Sequence, residues 1–416
     1  MFRKLVTIDE ARKIIRHHFK PHPLGTEEIH LLNAAGRTLA EDITATLDIP
    51  PFDKSTVDGY AVNAEDTFGA EENRPITLKL TGVVNIGEIP KTKVTKGKTA
   101  EIVTGAPIPE GADAVVMLEH TERANSSISI FSPVVKDENV MKTASDIKKG
   151  QKILTKGTPL NSRQIGVLAA IGKAKTKVYR TPRVAVLSTG PEITEPGKKL
   201  APAKIYDINA YSLSVAVTES GADPIYLGVI QDDLSELQKA LKNALASTDM
   251  VVTSGGVSVG PKDIMPRAVN SLGKPGLIVC GISIKPGKPT TVASIYRKPV
   301  FSLPGHPASA LLVFDLLARP LIQQMARKEV AKPAEVKAVA GTRMFPAKGR
   351  RTYVMVKLAR DKKDIITATP LASSLSGAIT TLAKADGYVQ IPENVQFIEA
   401  GEQCTVHIFN GQNPGN

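Results

Sequence analysis

The segments DMVVTSGGVSVGPKD (249–263), ISIKPGKPTTVA (282–293) and VFSLPGHPASALLVF (300–314) decide the fold of this chain. Each contains a glycine-rich turn beside a short apolar run, and each turn carries a charged residue or leads into a helix. Glycine lets the backbone approach a phosphate closely because it has no Cβ. The three segments therefore predict an anion-binding surface at the carboxyl ends of parallel strands.

Strands and helices alternate around these segments. RVAVLST (183–189) and PIYLGVI (224–230) are predicted as strands, whereas AYSLSVAVTES (210–220) and DLSELQKALKNALA (233–246) are predicted as helices. The apolar stretch PASALLVFDLLARPLIQQM (307–325) is expected to form one long closing helix. This alternation indicates right-handed βαβ units and a doubly wound parallel sheet.

The rest of the chain is predicted to form smaller domains. Thr7 and Glu10 make a capping-box pattern at the start of an amphipathic helix, and LLNAAGRTLAEDI (31–43) is predicted as a second one. The fold class is therefore multidomain α/β: a doubly wound parallel-sheet domain, a small β-rich domain, a helical or mixed N-terminal domain and a C-terminal β barrel. The expected boundaries are 1–47 with 143–181 for the mixed domain, 48–142 for the inserted β-rich domain, 182–328 for the α/β domain and 332–416 for the C-terminal β domain.

Composition argues against several classes of protein. No apolar run approaches the roughly 18 residues of a membrane span. Residues 1–19 lack the apolar core of a signal peptide, so we expect a cytoplasmic protein without a membrane partner. The two cysteines, Cys280 and Cys404, lie far apart without a CxxC motif, which argues against a disulfide framework or a zinc site.

The net charge of +12 has three interpretations. A solvated lysine-rich surface is the favoured one, and a basic pocket for a phosphorylated small molecule comes second. A nucleic-acid surface is disfavoured because the chain has no tryptophan and few other aromatic residues on which bases could stack.

Acidic residues follow several of the predicted strands. Glu192 lies just beyond RVAVLST, where α/β sheets bind ligands. Asp233 forms a capping-box pattern with Glu236, whereas the neighbouring Asp232 has no such structural role. Asp263 either caps the next helix or holds a metal. Carboxylates such as Glu192, Asp232 and Asp263 are the ligands that Mg²⁺ takes, together with water and substrate phosphate.

Basic and small residues supply the complementary chemistry. Lys285 and Lys288 flank a turn fixed by two prolines, which favours anion binding over a solvated turn. His306, in LPGHP, is either a ligand or an acid–base group, although a lone turn histidine is more often structural. Arg350 and Ser376 could reach a phosphate or an oxyanion, but surface arginine is the commoner role.

Five segments in order resemble the molybdopterin molybdenumtransferase family, the MoeA and gephyrin E-domain type. They are PPFDKSTVDGYAV (50–62), VTGAPIPEGADAVVMLE (103–119), TSGGVSVGPKD (253–263), IKPGKP (284–289) and LPGHPASALLVF (303–314). The resemblance implies a subunit that dimerises, a molybdopterin-binding α/β domain and a site shared between subunits. It also implies an enzyme that inserts molybdate into adenylylated molybdopterin, with Mg²⁺-dependent release of AMP.

The resemblance also assigns roles to individual positions. Catalytic roles fall on Asp58, Thr104, Glu192, Asp232 and Asp263, and the last three are the expected Mg²⁺ ligands. The expected contacts to the pterin nucleotide and the oxyanion are Asp146, Ser254, Gly255, Gly256, Ser258, Lys285, Lys288, Pro304, Pro307, Arg350 and Ser376.

The chain departs from the family pattern at several positions: STVD (55–58) and ASD (144–146) replace the usual residues before Asp58 and Asp146. Pro191 and His306 stand where the family usually has Asp and Asn, and Gly281 stands where a basic residue is common. The singled-out acids all persist, which favours an enzyme over a non-catalytic molybdopterin-binding or scaffold paralogue. A tungstate-inserting enzyme is a further alternative.

Overall fold

The computed structural model describes residues 5–20, 24–256, 264–330, 333–362, 364–371 and 379–409. The chain forms two compact units. Unit 1 comprises Met1–Glu27, Gly36–Thr38 and Tyr179–Asn416, and unit 2 comprises Glu28–Ala35 and Leu39–Val178. The finer division into four domains stays a prediction. No helix in the described part of the chain is both long and apolar enough to cross a bilayer.

The helices, in chain order, are α1 (Ile8–His18), α2 (Ser162–Ala170), α3 (Asn209–Glu219), α4 (Leu234–Ser247), α5 (Met265–Leu272), α6 (Pro307–Val313), α7 (Arg319–Met325) and α8 (Thr380–Lys384). The strands before the α/β region are β1 (Thr26–His30), β2 (Ile43–Thr44), β3 (Lys54–Ser55), β4 (Gly59–Val62), β5 (Ile76–Val84), β6 (Lys98–Ile102), β7 (Ala114–Met117), β8 (Thr121–Ala124), β9 (Ser127–Ile130), β10 (Val140–Met141), β11 (Lys152–Leu154) and β12 (Lys175–Tyr179). The strands that follow are β13 (Arg183–Thr189), β14 (Ile193–Thr194), β15 (Ile205–Tyr206), β16 (Asp223–Ile230), β17 (Met250–Ser254), β18 (Pro275–Cys280), β19 (Ile284–Lys285), β20 (Thr291–Ile295), β21 (Lys298–Leu303), β22 (Glu335–Ala340), β23 (Arg351–Arg360), β24 (Ile366–Pro370), β25 (Gly387–Ile391) and β26 (Gln403–Ile408).

Unit 1 is built on a six-stranded sheet in the order β16–β13–β17–β21–β20–β18. The first four strands run parallel, as predicted, whereas β20 pairs antiparallel with both of its neighbours, β21 and β18. Ile295 of β20 pairs with Lys298 of β21 across a two-residue turn, in which Tyr296 and Arg297 have φ of 51° and 63°. So short a connection can join only antiparallel strands. The sheet is therefore parallel at its centre and mixed at one edge.

Helices cover both faces of this sheet. Val184 and Val186 of β13 pack with residues of α1, α3, α6 and α7, whereas Ala185 and Leu187 pack with residues of α4 and α5. A strand that is buried on both faces needs apolar side chains at consecutive positions, which explains why RVAVLST does not alternate. The predicted doubly wound architecture is confirmed.

The C-terminal strands close into a barrel, as predicted. Their order is β19–β23–β24–β22–β26–β25, and a further pairing of β23 with β25 closes the ring. The short strand β19 joins it from the α/β region by parallel pairing, with Ile284 opposite Arg351 and Lys285 opposite Thr352. This pairing ties the KPGKP turn to the barrel.

Several helix ends of unit 1 lie where the sequence predicts them. Thr7 Oγ1 accepts from Glu10 N at 3.1 Å, and Glu10 Oε2 accepts from Thr7 N at 2.7 Å, so the capping box of α1 is present. Asp233 caps α4 by accepting from Glu236 N at 2.9 Å. The long closing helix is also present, with a π-helical turn at Phe314–Ala318 between α6 and α7.

Unit 2 contains a six-stranded sheet in the order β7–β4–β6–β5–β9–β8. The prediction of a helix over 31–43 was wrong: only Leu31–Asn33 forms a 3₁₀ turn, and β2 begins at Ile43. Leu31, Leu39 and Ile43 are nevertheless buried in one core. Gly36, at φ +76°, interrupts any helix, so the helix-like spacing reflects burial from a turn and a strand.

Candidate functional site

The carboxyl ends of three parallel strands meet at one edge of the unit 1 sheet. Ser254 ends β17 and pairs in register with Ser188 of β13 and Leu303 of β21. Gly255 follows with φ +90°, and a Cβ there would lie 2.0 Å from Thr189 O. Only glycine permits this approach, so the turn folds closely over the end of β13.

Ser254 is buried beneath these turns, with 2% of its surface exposed. Its Oγ donates to Pro304 O at 3.2 Å and accepts from Asn209 Nδ2 at 2.6 Å. The hydroxyl is therefore engaged within the protein, whereas Gly255 and Gly256, which follow it, are half-buried.

Glu192 and Asp232 lie at neighbouring strand ends, because Thr189 of β13 pairs with Ile230 of β16. Burial raises the pKa of Asp232 and the negative charge of Glu192 raises it further, whereas the Thr189 hydroxyl opposes both. A cation between the two carboxylates would relieve their repulsion. The pair thus suits Mg²⁺, which binds through a few carboxylate oxygens and keeps several waters.

The third expected ligand, Asp263, lies outside the described residues, as do Ser258 and Ser376. Within the described residues, no three or more His, Cys, Asp or Glu side chains form a cluster that could hold a metal ion. Of the three expected Mg²⁺ ligands, the described residues therefore include only Glu192 and Asp232.

The KPGKP turn presents two cations. Lys285 and Lys288 are exposed, and neither ammonium makes a hydrogen bond or ion pair with any described residue. Gly287 has φ +114°, and a Cβ there would lie 2.6 Å from Val313 Cγ2 of α6. The glycine allows the turn to pack against that helix while both lysines point outward to solvent.

The two arginines of GRR have different roles. Arg351 donates to Asp9 Oδ2 at 2.9 Å and Glu393 Oε2 at 3.1 Å, so it links α1 to the barrel. Arg350 is half-buried and makes no ion pair with a described residue. Lys285 of β19 pairs with Thr352 of β23, and Arg350 lies two residues before Thr352 in the chain. Arg350 is thus the arginine available to an anion.

The LPGHP turn completes this edge. Pro304 is buried, and Pro307 is the first residue of α6. His306 precedes α6 and is exposed, and its side chain makes no capping hydrogen bond.

Unit 2 brings Asp58 and Thr104 together. Asp58 Oδ1 accepts from Thr104 N at 2.7 Å and from Thr104 Oγ1 at 2.8 Å. These bonds, the backbone one foremost, hold the pKa of Asp58 below its usual value. Asp58 is thus an oriented, ionised carboxylate at the surface of unit 2.

Asp146 is exposed in a segment that is hydrogen-bonded to residues 49–53. Its N–H donates to Ile49 O at 3.0 Å. Asp53 Oδ1 accepts from Thr143 N and from Thr143 Oγ1, each at 2.7 Å. Burial raises the pKa of Asp53, but bonds from Lys142 and Thr143 outweigh it and lower the pKa to about 2.

Two buried residues of this region were missed by the sequence analysis. Asp207 and Asn209 stand at the start of α3, and both contact groups at the strand ends. The segment IYDIN, which places two cap-type side chains before a predicted helix, was the signal that could have identified them.

Comparison with known proteins finds matches to three family regions along the chain. Residues 6–172 match the MoeA N-terminal region (domain I and II), residues 185–324 match the probable molybdopterin binding domain, and residues 337–409 match the MoeA C-terminal region (domain IV). These matches follow the chain in order and extend over the α/β region and the barrel.

Relatives that match over nearly the whole chain point to the same family. The molybdopterin molybdenumtransferase of Bacillus subtilis is 34% identical over 415 residues, covering 99% of this chain and 96% of that protein. The molybdopterin molybdenumtransferase of Haemophilus influenzae is 32% identical, covering 98% and 99%. A crystal structure of the molybdopterin biosynthesis MoeA protein of Pyrococcus horikoshii superimposes with a TM-score of 0.83 at 42% identity, covering 98% of this chain and 100% of that one. This chain therefore belongs to the MoeA family of molybdopterin molybdenumtransferases.

Proposed function

We propose that this protein inserts molybdate into adenylylated molybdopterin and releases AMP as the molybdenum cofactor forms. One observation carries the proposal: the carboxylate pair Glu192–Asp232 lies at the strand ends of a molybdopterin-binding domain that also presents Lys285 and Lys288, neither of which has a partner among the described residues. Cations, backbone amides and a metal-binding acid pair are what a substrate with two phosphates and a tetrahedral oxyanion requires.

The basic residues and the glycine turn would bind the anionic parts of the substrate. Lys285, Lys288 and Arg350 supply charge to phosphate and molybdate oxygens. The backbone of Gly255 and Gly256, kept close to β13, supplies N–H groups without a side chain in the way. The dithiolene sulfurs that receive the metal belong to the substrate, so the protein needs no cysteine ligand for molybdenum.

The acids would serve the cleavage of the phosphoanhydride bond. Glu192 and Asp232, with Asp263 as the expected third ligand, would hold Mg²⁺, which supplies positive charge to the phosphate oxygens. Water would attack the phosphoanhydride, so that AMP leaves and the pterin keeps its own phosphate. Asp58, ionised and oriented by Thr104, is able to accept a proton or hydrogen bond during this step.

An AMP-release assay tests the proposal. Purified protein is incubated with adenylylated molybdopterin and Mg²⁺, in parallel with molybdate, with tungstate and with neither oxyanion. We expect AMP release to require both Mg²⁺ and molybdate, and the tungstate arm measures oxyanion preference. A wild type that binds the pterin nucleotide but shows no molybdate-dependent release would overturn the proposal in favour of a carrier or scaffold.

We further propose that the chain acts in the cytoplasm as a homodimer, with Asp58 of one protomer and Lys285 of its partner serving the same substrate. The family relationship supports this arrangement. Sedimentation equilibrium is expected to give twice the chain mass of 44.3 kDa. A single species at the mass of one chain, at assay concentrations, would argue against the dimer.

A further inference from the structure

Asn209, the first residue of α3, connects two turns that follow different strands. Its side-chain Nδ2 donates to Ser254 Oγ at 2.6 Å and to Gly305 O at 2.7 Å. Ser254 ends β17 and leads into the Gly255–Gly256 turn, whereas Gly305 lies in the LPGHP turn after β21. A side-chain amide has two N–H donors, and each of the two contacts lies on a different turn.

Further hydrogen bonds close this connection into a network. Ser254 Oγ donates to Pro304 O at 3.2 Å, and Gly255 N donates to Leu303 O at 3.3 Å. The separation of the two turns is therefore set by side-chain and backbone contacts that share Ser254 and Asn209.

Asp207 fixes the position of Asn209. Its Oδ1 accepts from Ser188 Oγ at 2.8 Å and from Ala210 N at 3.1 Å, so the start of α3 is attached to the end of β13. Asp207 and Asn209 are only 3% and 8% exposed. Both residues therefore lie beneath the turns, where their contacts are with the protein.

The network leaves two polar atoms without partners. Asp207 Oδ2 and Asn209 Oδ1 are buried, and neither makes a hydrogen bond with any described residue. An unpaired buried acceptor costs free energy, and such groups call for an explanation other than stability. Our explanation is that the two N–H donors of Asn209 must bind Ser254 and Gly305, even though this leaves its Oδ1 without a described partner.

We propose that Asn209 is a positioning residue, which holds the Gly255–Gly256 turn and the LPGHP turn at the separation that the phosphates and the oxyanion of the substrate require. This inference rests on the proposed function of the same site. Asn209 acts through Ser254 and Gly305, and its loss is expected to weaken binding of the pterin nucleotide while the sheet itself stays folded.

Amide hydrogen exchange tests the positioning role of Asn209 without an activity measurement. In Asn209→Ala, we expect the Gly255 amide to exchange about tenfold faster or more, while the amides of Val251 and Val252 within β17 keep their wild-type rates. Ser214→Ala is the matched control, because Ser214 Oγ donates to Ala210 O at 2.6 Å on the same helix and contacts neither turn. An unchanged Gly255 rate, or an equal acceleration throughout β17, would overturn the proposal.

Kinetics supply the functional arm. Asn209→Ala is expected to raise KM for adenylylated molybdopterin about tenfold, with a smaller change in kcat and a wild-type KM in Ser214→Ala. In a double-mutant cycle, Ser254→Ala and Asn209→Ala are expected to be non-additive, since both break one network. Fully additive effects of the two substitutions would contradict the positioning role of Asn209. A wild type that fails to release AMP would overturn the proposed function instead, and the exchange experiment would still decide the role of Asn209.

Discussion

Asp58 in unit 2 and Asp232 in unit 1 are exposed carboxylates whose surroundings act in opposite directions. Two hydrogen bonds from Thr104 lower the pKa of Asp58, whereas burial and the charge of Glu192 raise the pKa of Asp232. The first carboxylate is satisfied and oriented by its own unit. The second is short of positive charge, which a bound cation would supply. The Asp58 carboxylate is therefore preformed as a hydrogen-bond acceptor, whereas the proposed role of Asp232 depends on a cation that the protein would have to bind.

The largest effect is expected at Lys285, a charge of unit 1 that has no partner in the part of the chain that the structure describes. Lys285→Ala should reduce molybdate-dependent AMP release by roughly 100-fold, the usual cost of losing one preorganised group that stabilises developing negative charge. Lys239→Ala, an exposed lysine of α4, is the control and should leave the rate unchanged. Equal rates in the two variants would remove Lys285 from the site.

A substitution at Asp232 tests whether this carboxylate binds Mg²⁺. Asp232→Asn should raise the Mg²⁺ concentration for half-maximal AMP release by about tenfold or more, because it removes one charge from the cation's surroundings. The neighbouring Asp233→Asn retains a good N-cap for α4 and should change this concentration little. If both variants behave alike, Asp232 is not a metal ligand.

The pH dependence of Mg²⁺ binding sharpens the same point. Because the pKa of Asp232 is raised, protons compete with Mg²⁺ at a higher pH than for an ordinary aspartate. Apparent Mg²⁺ affinity should therefore fall as the pH is lowered. Glu192→Gln removes one cause of the raised pKa, so the fall should move to lower pH in a titration by calorimetry. An unmoved profile would show that Glu192 does not act on Asp232.

Thr104 should give the smallest effect, because it only orients a carboxylate that is already exposed. Thr104→Val keeps the backbone bond to Asp58 and loses the hydroxyl bond, so the pKa of Asp58 should rise part of the way to its usual value. AMP release should fall several-fold, and Thr104→Ser should restore both the rate and the pKa, which NMR titration measures. A wild-type pKa in Thr104→Val would show that the hydroxyl bond is absent in solution.

The sequence predicted best what depends on short-range pattern. The capping box of Thr7 and Glu10, the amphipathic α4 and the glycine turns all involve neighbouring residues, and all are present. The antiparallel edge of the sheet was missed because its two-residue turn, Tyr296–Arg297, carries no glycine or asparagine signal.

Side-chain contacts between residues that are distant in sequence could not be predicted at the site. Nothing near GRR distinguishes Arg350 from Arg351, because the partner that engages Arg351, Asp9, lies 342 positions away. Asn209 was missed for the same reason: its contacts, Ser254 and Gly305, are distant in sequence and become neighbours only at the strand ends.

Subunit mixing tests most directly whether charges from the two units act on one substrate. Asp58→Asn and Lys285→Ala subunits, each almost inactive alone, are exchanged and assayed for molybdate-dependent AMP release. A site shared between protomers predicts recovery of about a quarter of the wild-type rate, because random exchange yields heterodimers with one intact site. A mixture that never exceeds the two separate variants, after exchange has been verified by mass, would contradict the shared site.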